Sequence, residues 1–411
     1  MRRVTVFYLS SITLAVLGQS VAAIALPLIV LTTTGSVLGT GAVAAATAIP
    51  GLLAGLFMGV VLDRINRRTA SVMCDLISAA SIAALPIVDL ITGLNIGWFM
   101  LFGALSTLGD GPGITARETL LPAIVRHGDI SAERLMGLRE TMTTIALLLG
   151  PAAAGTLMGF FEGTTVLWIT AGTSLVAGLM SLMLPAVVGS SSVEAGHGTK
   201  LAGTGWSQLK DGWKVLLTSR FLVGVTLIMI VALVTIAALQ GLLLPVYFTM
   251  EGSPELLGFV LTSLAAGSLL GGLLYTVAGK KGRRRAWFML GICGNAMGFA
   301  VVATLAEIWV VFVGAFLLGF FNALFGALIS VLNIERIPEN MRGRILGTQN
   351  AMIPAAAPAG IAGAAVMVEF MSLQTAAMIF VGLWVICVVF ALCSSAFRNL
   401  EKSPPEEVKE V

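Results

Sequence analysis

Long apolar stretches, parted by short polar or glycine-rich connections, take up nearly the whole of this 411-residue chain. They fall at 4–31, 39–62, 70–94, 96–125, 133–161, 164–188, 221–249, 255–278, 285–305, 307–337, 344–368 and 373–397. A helix needs about 20 apolar residues to cross a bilayer core, and each stretch reaches that length. The pattern therefore predicts an all-α membrane protein with twelve transmembrane helices. Met1, Arg2 and Arg3 before the first stretch resemble the start of a signal peptide. That apolar run is too long for an ordinary signal core, so it is taken as the first span.

Composition sharpens this by exclusion. Hydrophobic residues make up 57% of the chain and charged ones 11%, far below the quarter or so that soluble domains carry. No room remains for a soluble catalytic domain. The 47 glycines and 14 prolines suit membrane helices, where small residues let backbones approach and neighbours satisfy freed backbone groups. Cys74, Cys293, Cys387 and Cys393 lie in apolar runs without metal spacing, and His127 and His197 sit in polar connections. No metal, cofactor, nucleic-acid partner or enzymatic nucleophile is expected.

Charge placement fixes the expected orientation. All 24 Lys and Arg residues fall on one side of the twelve-span arrangement, from Arg2 and Arg3 through Arg64, Arg67 and Arg68 to Lys402 and Lys409. The opposite connections carry only Glu162, Glu251, Glu255, Glu307 and Glu369. The positive-inside rule then places both termini in the cytoplasm.

The two halves repeat each other. Gly51 and Gly55 recur as Gly267 and Gly271, and the basic turn at 64–68 recurs at 280–284. Pro27 and the pair Gly35, Ser36 recur as Pro245 and Gly252, Ser253. The expected organisation is a six-helix half at 1–188, a linker at 189–220, a second six-helix half at 221–398 and a tail at 399–411. In the linker, Trp206, Leu209, Trp213, Leu216 and Leu217 recur at helical spacing beside Lys210 and Lys214, which predicts an amphipathic surface helix. Pseudo-symmetric halves place a substrate cavity between them near mid-membrane, with transport by rocking.

The connection after the second span reads Gly59, three apolar residues, Asp63, Arg64, Ile65, Asn66, Arg67, Arg68. With twelve spans and a two-half repeat around it, this closely resembles the signature turn of the major facilitator superfamily. Asn66 and the later 337–344 turn are similar to the drug-efflux branch that includes macrolide and siderophore exporters. The resemblance implies that Gly59, Asp63, Arg64, Arg67 and Arg68 form a conformational latch, with Asp63 meeting the start of the eleventh span. Topology setting alone is an equal reading for Arg67 and Arg68. Gly150, Pro151 and Gly155 partly resemble the kinked-helix signature of antiporters in that superfamily, which implies export.

Ionisable groups inside spans are functional candidates because they are costly there. Asp110, between Gly109 and the run Gly111, Pro112, Gly113, is expected to bind and release the coupling proton, the alternative being a carboxylate that caps a broken helix. An antiparallel hairpin of spans four and five would pair Arg117 with Glu140 and Glu118 with Arg139. The resemblance links Arg117 to proton coupling; a structural salt bridge is an equal reading. Asp75 reads as a carboxylate favouring a helix N-terminus. Gln19, Gln240 and Asn322, amid Met and Phe, are the expected substrate contacts. The expected activity is proton-coupled efflux of amphipathic small molecules by a monomer in the cytoplasmic membrane. An importer or lipid-moving member of the same fold is the alternative, and a non-transporting receptor or enzyme the rival of another class.

Overall fold

The computed structural model describes residues 2–128, 130–189, 217, 219–279, 284–337, 345, 349, 353, 356–398 and 400. The side chains of 2, 52, 55–64, 128, 132, 133, 334 and 335 lie outside that description. Among the described residues there is no strand. The helices are α1 (Arg2–Thr34), α2 (Val37–Arg64), α3 (Arg67–Thr92), α4 (Ile96–Gly128), α5 (Ala132–Phe160), α6 (Gly163–Leu182) and a short α7 (Ala186–Gly189). After the linker come α8 (Arg220–Ala238), a π-helical turn (Leu239–Leu243) and α9 (Leu244–Met250), then α10 (Leu256–Ala278) and α11 (Arg284–Ala303). The chain continues through α12 (Ile308–Arg336), α13 (Ala357–Phe370) and α14 (Leu373–Cys393).

Nine spans among the described residues are both long and apolar enough to cross a bilayer, with α8, the π turn and α9 forming one of them. The other three expected spans are helical where they are described. α4 has the length but is diluted by its glycines, prolines and charges, while α2 and α13 contribute shorter apolar segments, Val37–Gly51 and Ala357–Phe370. Leu90, Ile91, Phe160, Trp309 and Phe370 stand largely exposed, a surface that suits lipid and not water. The protein is a multi-pass helical membrane protein. The sixth span is shorter than the expected 164–188, since α6 stops at Leu182 and α7 begins only at Ala186. The predicted linker helix at 206–217 lies, apart from Leu217, outside the described residues.

Capping explains where several helices begin. Asn66, Ser131, Ser219 and Ser372 each accept hydrogen bonds from amides of the first turn that follows. The helix-ending turns carry the duplication into the backbone. Gly35 and Gly252, paired by the sequence repeat, both adopt left-handed φ, +65° and +69°. Gly93, after α3, has φ +76°, and Leu305 occupies the matching place after α11 at φ +46°.

The chain groups into two compact units. One comprises Met1–Ala195, Gln240–Thr262 and Ile361–Glu369; the other comprises Gly196–Leu239, Ser263–Gly360 and Phe370–Val411. In the first, α3 packs on α4 and α6, α2 on α4, and α1 on α5, α6 and α9. In the second, α11 packs on α12 and α14, and α8 on α14. Small residues set the spacing in both. A Cβ at Gly103 would strike Thr47, and one at the repeat-related Gly319 would fall on the Leu264 carbonyl oxygen of α10. Phe288 stacks on Phe397 at 4.8 Å between ring centres, and Arg336 lies 4.3 Å over the ring of Phe221.

Candidate functional site

Two layers of polar side chains cross the first unit. On α3, Ser71, Asp75 and Ser78 recur at helical spacing and share a face. On α4, Ser106, Asp110, Gly113 and Arg117 do the same. Glycine brings the two helices together: a Cβ at Gly109 would fall on the carbonyl oxygen of Cys74, and one at Gly113 would lie 3.3 Å from the Cys74 Cβ.

In the layer nearer the basic end, Arg117 forms an ion pair with Asp75 and donates from Nε to the Ser11 hydroxyl of α1 at 2.7 Å. The Ser11 hydroxyl shares a 2.6 Å hydrogen bond with Ser181 of α6, and Ser181 is 3.3 Å from Ser71. Arg117 is 1% exposed and Asp75 8%, so the pair is sealed inside four helices. Gly113 and Gly178 flank the Asp75 carboxylate, where larger residues would crowd it. In the second layer, two turns or about 10 Å further along α4, Asp110 accepts hydrogen bonds from Ser78 at 2.7 Å and Ser106 at 3.2 Å. Asp110 is only partly buried, and no cation among the described residues pairs with it.

Several expectations change. Arg117 pairs with Asp75 and not with Glu140, which is exposed. The antiparallel reading holds for the other pair, since Arg139 and Glu118 meet at 2.5 Å. Asp75 is no free N-terminal carboxylate; a helix-end dipole is weak beside a guanidinium in contact. α4 is unbroken across Gly109–Gly113; Gly109 and Gly113 serve contact with α3, and Asp110 is satisfied by serines. The serines escaped the sequence reading, although their spacing with Asp75 and Asp110 was the available signal.

Elsewhere the candidates make separate contacts. Arg67 donates to the Thr119 carbonyl of α4 at 3.1 Å, and Arg68 to the Leu182 carbonyl that ends α6. Asn66 caps α3 and donates to Ala186 at 3.2 Å. The side chains of Asp63 and Arg64, with Gly59, lie outside the described residues, as does Arg344. Gly150 packs on Ser20 of α1, whereas Pro151, Gly155 and Gly159 form a groove that receives Glu255 and Gly258 at the start of α10. A Cβ at Gly258 would fall on the Pro151 carbonyl oxygen, so these backbones touch. Gln19, Gln240 and Asn322 are all partly buried, and Gln240 lies in the π turn, a distortion frequent at functional positions. No group of three or more His, Cys, Asp or Glu residues able to hold a metal occurs among the described residues.

The sequence profile of the Major Facilitator Superfamily matches residues 8–252 and 238–411. The multidrug efflux pump Tap of Mycolicibacterium fortuitum is 26% identical over 347 residues, 84% of each chain. The protein of the same name from Mycobacterium tuberculosis H37Rv is 27% identical over 399 residues, 96% of this chain and 94% of that one. Among solved structures, the nucleoside transporter NupG superposes with a TM-score of 0.73 at 15% identity, covering 97% of this chain and 99% of its own. A D-xylose–proton symporter gives 0.68 at 16%, covering 98% and 100%.

Proposed function

The chain belongs to the major facilitator superfamily of membrane transporters, and from that premise we propose that it exports amphipathic small molecules in exchange for protons across the bacterial cytoplasmic membrane. The export direction rests on the Tap relatives, which carry the name multidrug efflux pump. With the basic residues facing the cytoplasm, both termini lie inside. The protein works as a monomer of two six-helix halves by alternating access, and Gln19, Gln240 and Asn322 are its substrate contacts. The backbone contact of Pro151 and Gly155 with Gly258 closes the outer side in one state. Gly59, Asp63, Arg64, Arg67 and Arg68 hold the inner side in the other.

The observation that carries proton coupling is the arrangement of acids on α3 and α4. Asp110 is a carboxylate that remains partly accessible and, among the described residues, is held by serine hydroxyls and has no cationic partner. It can accept a proton without breaking an ion pair. Asp75 cannot, because neutralising it strands the buried Arg117. The proton therefore resides on Asp110, and the Asp75–Arg117 pair fixes the geometry of α3, α4 and α1 around it. The Glu118–Arg139 pair joins α4 to α5 at the basic end, with Glu140 exposed beside it.

Inverted membrane vesicles energised to an acidic interior test this reading. Ethidium added to vesicles with the parent protein should be concentrated inside and should dissipate the pH gradient; Asp110→Asn should do neither at equal expression. Undiminished gradient-driven uptake by Asp110→Asn would remove the proposal.

A further inference from the structure

The sequence repeat pairs Pro27 with Pro245, yet the backbone around the two prolines differs. α1 runs through Pro27 as one helix from Arg2 to Thr34, whereas Pro245 follows directly on the π turn Leu239–Leu243. Proline has no N–H, so Pro245 can donate neither to the carbonyl four residues back, that of Gly241, as an α-helix requires, nor to the one five back, that of Gln240, as a π turn requires. Adjacent carbonyl oxygens thus lose the donor that a regular turn would supply.

From Ala238 to Phe248 every residue is buried except Gln240 and Gly241, which are partly accessible. The opening in this stretch therefore coincides with the two deprived carbonyls. Gly241 contributes by lacking a side chain: a Cβ there would lie 2.8 Å from Cδ1 of Ile361 on α13. The Gln240 side chain adds an amide that has no hydrogen-bond partner among the described residues, and no charged residue stands between Arg220 and Glu251. Gln240, Gly241, Pro245 and Ile361 all belong to the first unit. Hydrocarbon cannot satisfy such groups, so they call for N–H or O–H donors brought by water or a ligand.

We propose that this turn is a substrate subsite, in which the backbone carbonyls of Gln240 and Gly241 and the Gln240 side chain accept hydrogen bonds from N–H groups of the transported compound. It rests on the export reading above and narrows its substrate class. A compound bearing N–H donors replaces the waters on these oxygens bond for bond. One of similar size and charge without donors displaces the same waters and returns nothing, which costs affinity. Since the turn carries no charge, it selects by hydrogen bonding and not by the sign of the substrate's charge.

A pair of monovalent cations tests this on the full chain in lipid nanodiscs: ethidium, which carries aromatic amino groups, and tetraphenylphosphonium, which has no N–H. Pro245→Ala returns the missing amide to the turn and should weaken equilibrium binding of ethidium roughly tenfold while leaving tetraphenylphosphonium within about twofold of the parent. Gln240→Leu should act in the same sense. Equal losses for both cations, or no loss for ethidium, would overturn the subsite. The second arm needs no variant. Gln240 and Gly241 form the only Gln–Gly pair in the chain, so solid-state NMR of protein isotope-labelled at glutamine carbonyl carbons and glycine nitrogens reads the Gln240 carbonyl alone. Ethidium should move that resonance downfield, as a gained hydrogen bond does, and neither tetraphenylphosphonium nor sodium chloride should. A resonance indifferent to ethidium, or moved as far by either of the others, would also overturn the proposal. If the parent binds neither organic cation, the export reading fails and the subsite with it; if it binds both and these contrasts are missing, the subsite alone falls.

Discussion

Breaking the Asp75–Arg117 pair from one side should be far more damaging than removing it altogether. Asp75→Asn conserves shape but leaves the Arg117 guanidinium, 1% exposed, with the Ser11 hydroxyl as its acceptor among the described residues. Stranding one member of a buried pair costs about 3–5 kcal/mol, because the desolvation is no longer offset. At somewhat under 2 °C per kcal/mol for a chain of this size, thermal unfolding should fall by about 5 °C. Arg117→Met should cost a similar amount by stranding Asp75. The double variant Asp75→Leu with Arg117→Met replaces the pair by apolar groups of similar volume and should recover to within about 1 kcal/mol of the parent. The assay is loss of the monodisperse peak in fluorescence-detected size-exclusion chromatography after heating in detergent. Unfolding there is irreversible, so the comparison is made at one heating rate. Additive shifts, with the double variant as unstable as the sum of the singles, would refute the reasoning, since coupled partners must deviate from additivity.

Other substitutions probe separate links. Gly258→Leu should abolish transport while leaving the detergent-solubilised protein folded, because a side chain there meets the Pro151 backbone only when α5 and α10 touch; parental ethidium efflux would contradict this. Gly319→Val places a side chain against the Leu264 backbone inside the second unit and should lower thermal stability by about 2 kcal/mol or more, read by the same heating assay. Leu305→Gly, which supplies the residue found at the matching Gly93, should relieve about 1 kcal/mol of left-handed strain, less what the lost side chain contributed. Asn66→Ala should cost about 1 kcal/mol through the lost α3 cap, with Asn66→Asp retaining most of the stability.

The fold was legible because bilayer physics writes it directly into the chain. Apolar length gives the spans. Gly35 and Gly252 were found as sequence copies, and both adopt the same left-handed turn. The Glu118–Arg139 pair was legible because a hairpin fixes which residues share a depth. Depth alone says nothing about the rotation of a helix about its axis, and there the sequence reading failed. Asp75 and Arg117 meet across helices whose facing sides depend on glycines 109, 113 and 178. The same glycines in α4 suggested a loosened helix, since Gly, Pro and Asp break helices in water. Inside a packed bundle they permit close approach, and serines on α3 and α4 satisfy the carboxylate. The π turn around Gln240 left no mark in the hydrophobic pattern, because one extra residue per turn hardly alters an all-apolar run.

The claim on which the account turns is that one carboxylate, Asp110, exchanges a proton for substrate. Proton release can be followed with a pH-sensitive dye when ethidium is added to the purified protein in weakly buffered detergent. The parent should release close to one proton per bound ethidium, and Asp110→Asn should bind ethidium with no release. Equal release from both proteins would contradict the account and move the coupling site elsewhere.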